Sequence, residues 1–361
     1  ARKNPQQAND FADATKELTD SQDPEDVKRL KEVAGGHPEE AGDALMAEVH
    51  SGKTRNGERA RQAARIYAPF APSKAKIAYE EAVELDPEDV WSWIELGRLK
   101  LNYDTLADAR TCFQSALQRV SDERDRMVLH NEFGNMLMIE GQLVEARQEF
   151  ESGLAIAEQL TKQEPGNSGW QRDLSVSYNK LGDVEVAAGN LGKARERFED
   201  GLTIREKLAK QEPGNSEWQR DLSVSYEKLG DVEVAAGNLG KARERFEDGL
   251  TIREKLTKQE PGNSGWQRDL SVSYEKLGNV EVAAGNLGKA RERFEDGLTI
   301  REKLTNQEPG NSGWQRDLSV SYNKLGDVEV AAGNLGKARE RFEDGLTIAE
   351  QLAKQEPGNR S

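Results

Sequence analysis

Between Trp170 and Leu208 the apolar residues return every three or four positions, in two runs. Trp170, Leu174, Tyr178, Leu181, Val184 and Ala188 make the first, and Leu191, Ala194, Phe198, Leu202 and Leu208 the second. That spacing puts each run on one face of a helix. Ser168 with Gln171 three places on predicts a capping box at the first start. Gly189 suits the left-handed residue that ends a helix, and Asn190 suits the cap of the next. Pro213 and Gly214 stop the second helix. So short a connection predicts an antiparallel helix pair.

The pair is then written again. NSGWQRDLSVSY starts at Asn167, Asn263 and Asn311, and as NSEWQRDLSVSY at Asn215, a period of 48 residues. Two amphipathic helices cannot bury both faces alone, so the pairs are expected to stack into an α-solenoid. Gly182 and Gly201 interrupt the helices at about 1 kcal/mol each relative to Ala. They recur as Gly230 and Gly249, Gly278 and Gly297, and Gly326 and Gly345. A cost repeated in every unit predicts close helix-to-helix approach at these points.

Tyr178-x-x-Leu181-Gly182 followed by Ala194-x-x-x-Phe198 resembles the tetratricopeptide repeat (TPR), a helix–turn–helix of 34 residues. Trp93-x-x-Leu96-Gly97 with Ala109, Phe113 and Ala116 resembles an ordinary member, and Ala75, Tyr79, Ala82, Leu85 and Pro87 the second helix of another. Phe133-Gly134 with Ala146, Phe150 and Leu154 links the two kinds. The resemblance covers roughly residues 60–358 and implies an all-α fold, a right-handed α-solenoid of antiparallel helix pairs. The departure is length. Fourteen extra residues, 209–222 in the second long unit, extend two adjoining helices by about two turns each. Trp218 lies in this extension, and Trp170, Trp218, Trp266 and Trp314 are expected to add a core layer. Long repeats of this kind resemble those of large bacterial multidomain proteins, where such arrays accompany signalling or effector domains.

Three regions follow: 1–57, a polar helical cap or arm with Val27, Leu30 and Val33 facing inward; 58–166, irregular TPR-like repeats; and 167–361, four near-identical 48-residue repeats. A docking tail is the alternative for the first.

Composition narrows the function. Only 35% of the 361 residues are hydrophobic and 32% are charged, lean for one globular core but suited to a stacked array. A net charge of −15 without a basic stripe argues against nucleic acid as a partner. No apolar run is long enough to span a membrane. The opening ARKNPQQANDF lacks the apolar segment of a signal peptide, although a start on Ala1 leaves room for a removed leader. The single cysteine, Cys112, excludes an internal disulfide and makes a cytoplasmic setting the default.

Chemistry is sparse. His37, His50 and His130 have no metal-site spacing, and His130 occupies the position of Tyr178 one unit on, which favours packing. Cys112 reads as a small buried hydrophobe. GNLGKA lacks the frame of a phosphate-binding loop. The carboxylates alternate with Lys and Arg, as in RERFED, and read as solvated helix faces. No enzyme activity and no cofactor are expected.

Recognition remains. In the TPR family the first helix of each pair lines a concave groove. Carried over, that face presents Asn179, Asp183 and Val186; Glu227, Asp231 and Val234; Glu275, Asn279 and Val282; and Asn323, Asp327 and Val330, with Ile94, Arg98, Asn131, Asn135 and Met138 upstream. The first two long units differ at only three places, Gly169/Glu217, Asn179/Glu227 and Ala209/Thr257, one of them on this face. Alternating carboxylate or amide with valine suits a protein or peptide partner bearing basic or amide groups beside apolar ones. The family's grip on a C-terminal carboxylate needs Lys and Asn where Asn179 and Asp183 stand, so that mode is disfavoured. The leading expectation is a non-enzymatic protein-interaction scaffold; the alternatives are a sensor arm regulating an attached enzymatic domain, and self-association by stacking.

Overall fold

The computed structural model describes residues 24–51 and 57–355, with positions 11, 12, 14–16, 18 and 19. All regular structure among them is helical, and the chain divides into two compact units, 1–160 and 161–361.

The first unit contains α1 (Pro24–Ala34), α2 (Pro38–Ser51), α3 (Gly57–Tyr67), α4 (Pro72–Leu85), α5 (Val90–Tyr103), α6 (Leu106–Arg119), α7 (Glu123–Ile139) and most of α8 (Leu143–Gln163). One apolar core runs from Ala14 and Leu18 through Leu45, Ala63, Ile66 and Tyr79 to Leu96 and Cys112, so the helices on either side of residue 57 share it. The α1 face differs from expectation. Leu30 packs against the core, but Val27 is exposed and the buried positions are Asp26 and Arg29. These two form an ion pair, and Arg29 also reaches Glu48, while Arg59 Nη1 donates to Asp26 Oδ1 at 3.0 Å. Hydrogen-bonded partners allow charges to replace valine on that face.

The second unit is four copies of one hairpin: α9 (Ser168–Ala187) with α10 (Leu191–Gln211), α11 (Ser216–Ala235) with α12 (Leu239–Gln259), α13 (Ser264–Ala283) with α14 (Leu287–Gln307), and α15 (Ser312–Ala331) with α16 (Leu335–Gln355). The long hairpins use helices of 20 and 21 residues, against 14 each in α5 and α6, as the extra turns require.

Local chemistry sets the ends. The cap of α9 is Asn167 rather than Ser168: its side chain accepts from the Trp170 N–H at 3.2 Å. The predicted Ser168–Gln171 box does not form, because Gln171 Nε2 instead donates to the Pro165 carbonyl at 2.5 Å. Gly189 closes the helix at φ 75°, a value open to glycine at little cost. Asn190 precedes α10 without a side-chain cap and donates to Glu185 Oε2 at 2.7 Å.

Each core lies between one hairpin and the next. Ala194, Phe198 and Leu202 of α10 pack with Leu222, Leu229 and Val232 of α11, and the same set recurs one and two units later. Gly182 makes this possible. A Cβ placed there would overlap the Phe198 ring, and Gly230 and Gly278 meet Phe246 and Phe294 in the same way. The predicted close approach is thus an aromatic edge laid on bare backbone. Gly201 is tight for a second reason, since its Cβ would come within 3.2 Å of the Ser175 carbonyl.

Two apolar positions depart from the predicted stripe. Ala188 is exposed at the helix end, and the four tryptophans are only half-buried. Each tryptophan sits in the first turn after its cap, beside the Pro-Gly turn. The buried layer beneath is supplied by serines and an arginine.

Candidate functional site

The first helices of the four long hairpins, α9, α11, α13 and α15, are tied directly to one another. Arg172 Nε donates to Asp221 Oδ2 at 2.6 Å, and Arg220–Asp269 and Arg268–Asp317 repeat the bond at 2.6 and 2.5 Å. Further along, Lys228 Nζ donates to Asp183 Oδ1 and Lys276 Nζ to Asp231 Oδ1, both at 2.6 Å. At the third step Asn279 replaces the aspartate, and Lys324 of α15 has no ion pair or hydrogen bond among the described residues.

Between hairpins an arginine is buried. Arg205 is 5% exposed; its Nε donates to Ser175 Oγ at 3.0 Å and its Nη1 to Ser225 Oγ and the Asp221 carbonyl at 3.0 and 2.9 Å. Arg253 and Arg301 repeat this network and add a carboxylate, Glu227 and Glu275 respectively, each at 2.6 Å. Asn179 stands in the corresponding place for Arg205; with its amide turned so that the oxygen faces the guanidinium, it accepts from both terminal nitrogens at 2.9 Å. Burial pulls Arg205 below its ordinary value, the Arg172 charge adds to this, and only Asp221 opposes.

The expected groove residues therefore part into three groups. Asn179, Glu227 and Glu275 face the joints between hairpins. Asp183 and Asp231 hold lysines on the first helix of the next hairpin; burial raises the Asp231 carboxyl even so, its lysine partner opposing. Val186, Val234, Val282 and Val330 stay 40, 39, 40 and 48% exposed in register along the four helices. Asn279 is half-buried, and Asn323 and Asp327 are exposed. In the first unit Asn135 Nδ2 lies 3.5 Å from Glu132 Oε2, and the Asn131 side-chain oxygen is buried near Gly153. Ile94 is fully buried and belongs to packing, whereas Arg98 pairs with Glu95 and Glu132.

Sequence reasoning missed the lysines and the buried arginines. It read the alternating charges as solvated helix faces, apart from those assigned to the groove. Yet Arg205 falls between Leu202 and Leu208 at helical spacing, so the signal was a charge on the apolar stripe itself.

Reactive groups are few. No cluster of three His, Cys, Asp or Glu side chains suited to a metal occurs among the described residues. Burial pushes the Cys112 thiol up to about 11, which leaves it protonated at neutral pH. His130 Nδ1 lies 2.7 Å from Glu149 Oε2, a contact between helices of one hairpin. No described helix is long and apolar enough to cross a membrane.

The helix pairs, the glycine–aromatic contact and the joints between successive long hairpins define an α-solenoid repeat protein. Within that class the fold is the tetratricopeptide-repeat fold, in an elongated form. No protein-family model and no curated protein matches the chain. Among solved structures it is similar to a signal transduction ATPase with a tetratricopeptide repeat sensor from Pyrococcus horikoshii, at a TM-score of 0.53 and 16% identity. That match covers 98% of this chain and 56% of the other. It is also similar to BtubC (BKLC) from P. vanneervenii, at a TM-score of 0.50 and 19% identity over 73% of this chain and 92% of that one.

Proposed function

We propose that the chain is a non-enzymatic protein-interaction scaffold whose long first helices bind a protein or peptide segment. The observation that carries this reading is the row Val186, Val234, Val282 and Val330, apolar and exposed at the same place in four successive helices. Aliphatic side chains repeated in register offer a partner several equal contacts, and avidity accumulates without any single strong one.

The earlier preference for a basic partner loses its support at two positions. Asp183 and Asp231 are already matched by Lys228 and Lys276. Charge reversal there would set lysine against lysine and disturb the stack itself, so it makes a poor test of binding. Replacing the four valines by Gln is the cleaner variant, since Gln is a good helix former. We expect unchanged helicity and melting together with loss of a partner that the original chain captures. Equal capture by both would overturn the reading.

A second reading makes the array a sensor arm, the role its Pyrococcus horikoshii neighbour's description gives to the repeats of that protein. It requires an effector domain in the same gene or complex. Binding at the valine row that changes such a domain's activity would favour it.

A further inference from the structure

Four near-identical units pose a problem of register. A segment lying along the valine row would gain nearly the same contacts if it slid by one unit, unless some unit is marked. We propose that the mark is Lys324 with Asn279, and that this pair receives the side-chain carboxylate of an Asp or Glu within the bound segment. The proposal rests on the scaffold reading and names the chemistry of its partner.

The argument comes from the lysine ladder. Lys228 and Lys276 occupy equivalent places and each is neutralised by an aspartate on the first helix of the preceding hairpin at 2.6 Å. Lys324 is the next rung. Its counterpart is Asn279, the one departure from Asp among Asp183, Asp231, Asn279 and Asp327. An amide in that place cannot neutralise the ammonium, but its NH2 can donate to the same oxygen atoms that the lysine attracts. The nearby carboxylates do not fill the role. Glu275, which shares a cleft with Lys324, is held by Arg301 at 2.6 Å, and Asp327, three residues on, is exposed and forms no ion pair with it. Lys324 is half-buried among Phe294, Gly297 and Ser321, so its charge is less well hydrated than that of a free surface lysine. Val282, three residues beyond Asn279, and Val330, six beyond Lys324, are exposed on the same two helices. A carboxylate beside apolar residues is the complement of that surface.

The ladder also supplies a gain-of-function control. Asn279→Asp gives the third unit the residue found in the others, so the fold is not put at risk. Asp231→Asn frees Lys276 and should create a second mark one unit earlier.

The probe is a library of random 12-residue segments displayed internally, without a free carboxyl terminus, and selected on the full chain. Individual winners are then measured as C-terminally amidated peptides by fluorescence anisotropy. We expect winners to carry an Asp or Glu beside apolar residues. Asn279→Asp should weaken them about fivefold, the upper end for an exposed ion pair. Asp231→Asn should raise the stoichiometry from one peptide to two. Winners without a carboxylate, or equal affinity for the Asn279→Asp chain, overturn the proposal. If such winners still depend on the four valines, the scaffold reading survives alone. If no segment is selected, or the valine variant binds equally well, both fall.

Discussion

Arg172 of one hairpin donates to Asp221 of the next at 2.6 Å, and Asp221 is the repeat equivalent of Asp173, the residue beside Arg172. Every unit thus carries both halves of the bond, one for each neighbour. The same holds for Arg195 with Glu233 and for Glu206 with Tyr226, and for Asp183 with Lys228 except in the third long hairpin, where Asn279 replaces the aspartate. Such an interface is head-to-tail, and it explains why identical segments recur at a fixed distance.

The Gly–Phe contact should be intolerant of a methyl group. Gly230→Ala drives a Cβ into the Phe246 ring and should cost about 1–3 kcal/mol, the usual range for overpacking. Gly192→Ala, where a Cβ meets nothing, should stay within about 0.5 kcal/mol of the original. Urea denaturation of the two variants checks this, and Phe246→Leu should recover part of the first loss but none of the second.

Removing Arg253 should be far worse than removing its carboxylate. Arg253→Ala strips Glu227, Ser223 and Ser273 of their shared donor and should cost about 3 kcal/mol. Glu227→Asn reproduces the arrangement already present at Asn179 and Arg205, so about 1 kcal/mol or less is expected. Equal losses would mean that the charge pair, not the hydrogen-bond network, secures the joint.

Acid should loosen the joints through Glu233, Glu281 and Glu329. Burial opposes their charge, but hydrogen bonds from Arg195, Arg243 and Arg291 and from the asparagine after each helix outweigh it and hold these carboxyls below the usual range. A depressed folded value means the contribution is complete above the unfolded pKa of about 4.3 and is lost as the pH falls below it. Asp231, Asp248 and Asp296, raised by burial, act the other way and relieve the fold slightly as they protonate. The urea midpoint should therefore hold from neutral pH to about 5 and drop below about 4. Replacing the three glutamates by Gln should flatten that acid limb.

Deleting residues 216–263 should leave a folded array. Arg172 would then meet Asp269, Asp183 would meet Lys276 and Arg205 would meet Ser273, each the residue type it meets now. Mean residue ellipticity should be unchanged and the urea m-value lower, in proportion to the surface lost. Removing half that length should abolish cooperative unfolding, because it sets two second helices face to face.

The hairpin, its antiparallel pairing and the tight glycines were legible because each rests on local spacing or on a backbone limit. The N-cap was misplaced by one residue, since Asn167 and Ser168 are both good caps and only the turn geometry chooses between them. The groove was less legible. A charge such as Asp183 shows its type in the sequence but not its partner 45 residues away, and that partner decides whether it is available to a ligand. Arg205 was hidden for the same reason: its acceptors come from two helices, and one of them is a carbonyl.

The nearly identical joints also bear on how the gene can change. A copying slip that adds or removes a whole multiple of 48 codons brings together surfaces that already fit. Such an event alters how far the row of valines extends while requiring no compensating substitution anywhere along it.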